Sequence, residues 1–416
     1  MKFIKDRKFM SVFVLIFCGY FLYAEQKEDK SLLLQIGDKD YKDRIMEISP
    51  GQIYSKRAGK PVSFLKMIED MKDDHFIYVG ETHNSLPMHD IQLKIIQALY
   101  EHDNDLSIGL EMLPVSTQEV LNEWSLGTLT QEEFVQKVKW YVNWNYNFGF
   151  YEKIFKLAKK NRVPLYALNI SREIIKKIRK KGWNELSDEE KNLVPQPHLT
   201  DEEHRTLIRT IFENTEIPHQ MKGESLEIAF EGLYRAQSAW DEVMAFNAIR
   251  ALQEKKMVVL AGSGHLFYNL GINRRAYERS HLPFKTVICL AVPEEKEGLE
   301  VSRSLADYVW GIPEQERPAF PSIGLSFNKF DGLDNLVVES KPIEGIAKGA
   351  DFEKGDIILS VDGKDFNDIN QLRIYLAKFI WDEEVKFRLL RRAQELEVTL
   401  EFKLPKQNND KYDERK

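Results

Sequence analysis

The chain has 416 residues, 43% hydrophobic and 30% charged, with a formal net charge of −7. That length carries two or three domains, and the composition excludes wholesale disorder. An acidic chain with no long basic run is a poor candidate for nucleic-acid binding.

The N-terminus carries a targeting pattern. Lys2, Lys5, Arg7 and Lys8 precede an apolar run from Phe9 to Ala24. The run is short for a membrane span, and Leu22-Tyr23-Ala24 before Glu25 suits cleavage. Residues 1–24 are read as a secretory signal peptide. Phe17 is too bulky for a good lipidation box around Cys18, so lipid anchoring and membrane association stay open. After cleavage only Cys289 remains, which excludes an internal disulfide and a Cys-based metal cage.

Residues 25–44 form a lead-in. A strand pair is expected around Met46-Glu47-Ile48 and Gln52-Ile53-Tyr54, turned by Pro50-Gly51. Ser63 caps a helix with Phe64, Met67, Ile68 and Met71 at helical spacing. Phe76-Ile77-Tyr78-Val79 then reads as a buried strand running into Gly80-Glu81-Thr82-His83. Pro87 opens a helix bearing Ile91, Ile95, Ala98 and Leu99. The next strand, Leu106–Met112, ends on Glu111, and a third, Val163–Asn169, ends on an amide. A fourth, Met257–Ala261, is followed by Gly262-Ser263-Gly264-His265, which repeats the Gly-x-x-His pattern. A fifth, Thr286–Ala291, carries no polar motif.

Alternating strands and helices imply an α/β fold with a mixed or parallel sheet covered on both faces. Parallel strands would bring Glu81, His83, Glu111, Asn169 and His265 to one rim. Two imidazoles with one or two carboxylates suit a first-row divalent metal and leave coordination positions open. His83, His265 and Glu81 are the candidate ligands, with Glu111 beside them. His89, His102, His198, His204 and His219 read as solvated, and His75 and His281 as strand-boundary residues.

Two inserts interrupt the alternation. Seven of the twelve residues from Trp140 to Tyr151 are aromatic, against 11% in the chain as a whole. Such a cluster is either helix packing or a wall for a flat apolar ligand. The second insert, from Leu186 to Arg250, is mostly helical, with Gln237, Trp240, Asp241 and Met244 along one face.

The Gly80-Glu81-Thr82-His83 run, the Gly109-Leu110-Glu111-Met112 strand end, the Trp/Tyr-rich insert, the Gln237-x-x-Trp240-Asp241-x-x-Met244-Ala245 run and Ala261-Gly262-Ser263-Gly264-His265 resemble the ChaN-like haem-binding family. Its superfamily also holds the Tiki proteases, TraB-type proteins and erythromycin esterases. The similarity covers residues 45–295 and implies an α/β core with helical insertions. It also implies secretion across the inner membrane, to the periplasm or the outer membrane, and a role in haem or iron uptake. The protease relatives imply a metal-dependent site, which would use Glu81, His83, Glu111 and His265. For haem iron, Tyr146, Tyr151, Tyr268 and His265 are candidate ligands. Trp140, Trp144 or Phe150 would stack on the porphyrin, and Arg274 would pair with a propionate.

Residues 296–321, with Pro313, Pro318 and Pro321, read as a linker. Beyond them the pattern changes to short strands and turns. Gly355-Asp356-Ile357-Ile358-Leu359-Ser360-Val361-Asp362-Gly363 makes residues 322–403 resemble a small, mainly-β PDZ domain of the bacterial type. That resemblance implies that Gly324, Leu325, Ser326 and Phe327 receive the C-terminal peptide of a partner, added as a strand. The tail, 404–416, is expected to be disordered. Two functions remain: a cell-envelope haem- or iron-binding protein with a peptide-binding module, or a metal-dependent, peptidase-like hydrolase whose PDZ domain presents peptides.

Overall fold

The computed structural model describes residues 29–215 and 223–403. The signal segment 1–24, the start of the lead-in, His219 and the tail 404–416 lie outside the described residues. The chain divides into two compact units: residues up to 134 together with 150–317, and residues 135–149 together with 318 onward.

The first unit is built on an eight-stranded sheet. Its strands are β2 (Ile53–Ser55), β3 (Lys60–Val62), β4 (Phe76–Glu81), β5 (Leu106–Pro114), β6 (Leu165–Asn169), β7 (Lys256–Gly262), β8 (Phe284–Val292) and β10 (Tyr308–Pro313). They stand in the order β3-β2-β10-β8-β4-β7-β5-β6. The six from β10 to β6 are mutually parallel, and β2 and β3 are antiparallel additions. Every residue of β4, β5 and β7 is buried, which is why these strands read as continuous apolar runs rather than as alternation. Parallel neighbours need crossovers. Here they are helical: α2 (Leu86–His102) after β4; α3 (Gln118–Ser125), α4 (Gln131–Lys137), α5 (Trp140–Asn143) and α6 (Glu152–Asn161) after β5; and α11 (Ile272–Ser280) after β7.

Between β6 and β7 run α7 (Arg172–Lys181), α8 (Asp188–Leu193), α9 (Glu202–Glu213) and the 28-residue α10 (Glu224–Ala251). One side of α10 packs Phe230, Leu233, Met244 and Ala248 into the main core. The other packs Ala236, Ala239 and Val243 against Ile174, Ile175 and Ile178 of α7. Buried on two sides, α10 carries its polar residues Gln237, Asp241 and Glu242 into the interior.

Two expectations change. The strand pair around Pro50-Gly51 does not form. Instead β1 (Ile45–Ile48) pairs with β9 (Leu299–Ser302), and β2 joins β10 and β3. The turn itself is fastened to β10, because Gly51 N–H donates to the Gly311 carbonyl at 2.8 Å and Gly311 lets the Ser49 backbone pass. Nor is 296–321 a linker throughout. It holds β9 and the buried sheet strand β10, whose Tyr-Val-Trp-Gly-Ile run is obscured by the prolines that follow.

The second unit carries an antiparallel sheet in the order β11 (Phe327–Lys329), β12 (Leu336–Val338), β13 (Ile357–Val361), β14 (Glu384–Arg391), β15 (Gln394–Glu401). Helix α12 (Ile369–Leu376) is capped by Asp368, which accepts from Gln371 N–H at 2.8 Å. Leu372 and Leu376 on the helix meet Val361, Phe387 and Leu389 of the sheet in a small core.

Candidate functional site

Strands β4, β7 and β5 are direct neighbours, so their C-terminal ends share one rim. At the end of β4 the Glu81 carboxylate is the hub. Oε1 accepts from His83 Nδ1 at 2.8 Å and from the buried Tyr151 hydroxyl. Oε2 accepts from Gln92 at 2.7 Å and faces His89 Nδ1 at 3.3 Å. Burial pushes this carboxyl up, but the His89 charge and the hydrogen bonds from His83 and His89 outweigh it and hold it well below the usual range. His89 gives one ring N–H to the His83 carbonyl at 3.2 Å, and its other nitrogen faces Glu81 and Gln92 oxygens. Acceptors at both nitrogens favour the protonated ring. Burial lowers its pKa, yet Glu81 raises it further.

At the end of β7 the arrangement is inverted, with His265 as the hub between two carboxylates. Nδ1 donates to Asp241 Oδ1 at 2.6 Å, and Nε2 lies 3.5 Å from Glu111 Oε1. Burial alone would lower its pKa; the charges of Glu111 and Asp241 push it up to about 10. Behind Asp241, His204 Nε2 approaches the other oxygen at 3.1 Å. Arg275 donates to His204 Nδ1 at 3.2 Å. That leaves Nδ1 an acceptor and His204 neutral, in line with its burial-depressed pKa.

Glu111 joins the halves. Its Oε2 accepts from Gly262 N–H at 2.6 Å. Any Cβ at Gly262 would stand 2.8 Å from His83 Cε1 and 3.6 Å from Glu111 Oε2. The His83 ring and the Glu111 carboxylate thus both border Gly262, where a side chain would crowd the ring, and His265 faces the same carboxylate. Asn169 completes the rim by donating to the Glu111 carbonyl at 2.9 Å. Burial raises the Glu111 carboxyl, but the charge and hydrogen bond of His265, the charge of His83 and the Gly262 N–H lower it overall.

His89 and His204 are buried rather than solvated, a correction with one cause: each serves a buried carboxylate. His89 and Gln92 were legible as polar residues on the apolar stripe of α2 beside Met88, Ile91 and Ile95.

The remaining ligand candidates have partners of their own. Tyr268 gives its hydroxyl to the Ser31 carbonyl at 2.7 Å and accepts from Leu34 N–H, tying down the lead-in. Arg274 pairs with Asp201 at 2.9 Å and with Glu203. Trp144 and Tyr146 stack on each other in the second unit, where Trp140 is fully buried against Phe148. Of the aromatic insert, Phe150 and Tyr151 reach the rim; their rings lie 5.8 and 4.3 Å from His89.

Among the described residues, no group of three or more His, Cys, Asp or Glu side chains is arranged to hold a metal ion. Glu81 spends both oxygens on other side chains, so the ligand set His83, His265 and Glu81 does not suit a bare divalent cation. Haem fits the donor set better. Two imidazoles and a phenol are haem-iron ligand types, and the buried Ser263 hydroxyl beside Gly80 has no hydrogen-bond partner among the described residues.

In the second unit Gly324 takes φ +77° and presses against Glu344 and Gly345. Ile346 and Ala347 N–H donate to the Ser322 and Ile323 carbonyls at 2.9 and 3.0 Å, which fixes the loop before β11. Leu325 and Phe327 are buried in the unit's core, and Ser326 accepts from Glu339 N–H at 2.8 Å. β11 is the edge strand of this sheet.

A family model described as haem-binding uptake, Tiki superfamily, ChaN matches residues 67–276, and a PDZ-domain model matches 321–402. Among solved structures, ChaN of Campylobacter jejuni with cofacial haem binding is 20% identical, covering 64% of this chain and 96% of its own, with a TM-score of 0.51. At that identity the likeness shows the fold. The type III effector HopBA1 is 11% identical over 60% of this chain and 92% of its own, with a TM-score of 0.36. An HtrA-type protease, AlgW with a decapeptide, is 18% identical over 29% and 41%, with a TM-score of 0.20. No curated protein matches the chain.

Proposed function

From a chain that belongs to the ChaN-type haem-binding uptake family of the Tiki superfamily and carries a PDZ domain, we propose a cell-envelope protein that binds haem at the β4/β5/β7 rim and recruits the C-terminus of a partner at β11. The observation that carries this is the meeting of His83, Glu111 and His265 around Gly262 at the strand ends, with Phe150 and Tyr151 beside His89 on the same rim. His83 supplies an imidazole, His265 supplies one only after giving up the proton that faces Glu111, and Tyr151 supplies a phenolate only once its bond to Glu81 opens. The bound group would supply iron chemistry; the chain's part is to orient it and exclude water. Export rests on the basic start and the apolar run to Ala24. Among the described residues no helix is long and apolar enough to cross a membrane.

The alternative, a metal-dependent hydrolase acting through Glu81, His83, Glu111 and His265, has less support because the carboxylates are already committed. Its remaining argument is the His265–Asp241 pair, which could hold a base in one tautomer. Hemin titration of the purified full chain tests the first reading. A saturable Soret shift is expected, weakened at least about tenfold in His83→Ala. No Soret shift, with a stoichiometric first-row metal by elemental analysis, would instead favour the hydrolase.

A further inference from the structure

The chain leaves β7 through the 3₁₀ turn Ser263–His265 and a second one, Phe267–Asn269, before α11 begins at Ile272. In the second turn Tyr268 has φ 58° and ψ 13°, and Asn269 has φ 56°. A bulky L residue seldom takes this left-handed region, and it stays there only where its surroundings over-determine it. Tyr268 is 1% exposed and is held at several points. Its N–H donates to the Leu305 carbonyl at 2.7 Å. Its hydroxyl donates to the Ser31 carbonyl at 2.7 Å and accepts from Leu34 N–H at 3.0 Å. Gly37 passes its carbonyl so closely that a Cβ there would stand 3.0 Å from that oxygen and 2.7 Å from Ser304 Oγ. All but the first of these holds come from the lead-in.

The lead-in is itself a built element. Asp29 caps the short 3₁₀ turn Lys30–Leu33 by accepting from Ser31 N–H at 2.9 Å, and it accepts from Asn214 at 2.6 Å. Leu32 and Ile36 enter the main core with Phe267, Tyr268 and Leu270. Asp38 N–H donates to Ser304 Oγ at 2.7 Å. All of these residues belong to the sheet unit.

The left-handed turn brings the chain back beneath His265. Gly271 returns so close to the His265 carbonyl that a Cβ would meet that oxygen at 2.0 Å. Asn273 Nδ2 donates to the Leu266 carbonyl at 3.1 Å. Further along α11, Arg275 donates to the Leu270 carbonyl at 2.7 Å and lies 3.7 Å from Asp241, the carboxylate that holds His265 Nδ1. His265 is thus fixed on one side by the end of β7 and on the other by a reversal centred on Tyr268.

We propose that residues 29–38 are a latch for the rim, with Tyr268 the positioning residue through which they set His265. Undocking the lead-in frees Tyr268 to leave the left-handed region. The reversal that carries Gly271 and Arg275 then relaxes, and His265 loses its fixed place opposite Glu111. The consequence for haem rests on the reading above: apparent affinity falls in proportion to the docked fraction.

Two full-chain variants test the latch. Tyr268→Phe removes the hydroxyl that Ser31 and Leu34 share. Gly37→Ala puts a methyl into the crowded approach, at φ +83°, and leaves Tyr268 intact. Amide hydrogen exchange is read at Leu34, which reports docking, at residues 265–270, and at Val258–Leu260 as a control for global opening. Hemin titrations are run on the same samples. In both variants Leu34 and 265–270 are expected to exchange at least about tenfold faster, with Val258–Leu260 at the parent rate. Hemin affinity should fall at least about fivefold, as a docked fraction of about one fifth requires. Fast exchange at Leu34 with 265–270 unchanged makes the lead-in a mere cover and overturns the latch. So does a Leu34 amide that stays protected in both variants, or a loosened 265–270 segment with the parent's hemin affinity. Faster exchange throughout, Val258–Leu260 included, reduces Tyr268 to general stability and overturns it as well. Absence of a Soret shift in the parent overturns the haem reading and the latch's part in it. A parent that shifts, with variants that behave as the parent, overturns the latch alone.

Discussion

The two Gly-x-x-His ends of the rim use the same spelling in opposite ways. At β4 a carboxylate, Glu81, is the centre, and His83, His89, Gln92 and Tyr151 hang on it. At β7 a histidine is the centre, and Asp241 and Glu111 flank it. The first half concentrates donors on one anion, and the His83 ring is turned toward it by the bond from Nδ1. The second encloses a cation between anions and extends inward through His204 and Arg275. A motif repeated along the chain thus fixes where a side chain stands, while the helices packed behind it decide its role.

The largest effect expected from breaking this contrast is at Asp241. Asp241→Ala leaves the His265 and Arg275 cations buried without their shared carboxylate. Losing one member of such a group costs about 3–5 kcal/mol, which urea unfolding would measure. A loss below about 1 kcal/mol would make the β7 half no more charged than ordinary packing.

A smaller, pH-dependent effect belongs to His265 itself. Its folded pKa, about 10, lies above the ordinary imidazole value of 6.5. The stabilisation from its charge is therefore complete below about pH 6.5. It declines as the pH rises and is lost through pH 10. Titration of the His265 ring by NMR should find a protonated imidazole at pH 8, and denaturation midpoints should fall between pH 7 and pH 10. A ring that deprotonates near 6.5 would erase the difference between the two halves. The smallest effect is expected outside the rim. Arg274 forms partly exposed ion pairs with Asp201 and Glu203. Arg274→Ala should cost less than about 1 kcal/mol and leave hemin affinity unchanged. A tenfold loss of hemin affinity would bring Arg274 back to the ligand.

Legibility from sequence divided along the same line. Strand ends were readable because β4, β5 and β7 are buried, largely apolar runs that lead into Gly80-Glu81, Glu111 and Gly262, although β5 continues past Glu111 to Pro114. The PDZ domain was readable from its turn glycines; Gly355 and Gly363 both adopt positive φ. The partners behind the rim were harder to read. His89 shows only as a polar residue on the apolar stripe of α2, and His204 lies on a helix rich in charged residues, where only packing shows that its ring points inward. The aromatic insert crosses a division that ring density alone does not reveal: Trp140, Trp144 and Tyr146 belong to one compact unit, Phe150 and Tyr151 to the other.

The strand order carries a consequence for how the protein comes to exist. β7 stands between β4 and β5, yet it is made about 150 residues after β5. Until Lys256–Gly262 has been synthesised, the two earlier strands lack their common neighbour and expose unpaired edges, a hazard for aggregation. Pairings this distant in sequence also form slowly. A nascent or exported chain that stops short of β7 holds Glu81, His83 and Glu111 with nothing to align them. Ligand capture is thereby postponed until most of the polypeptide is complete.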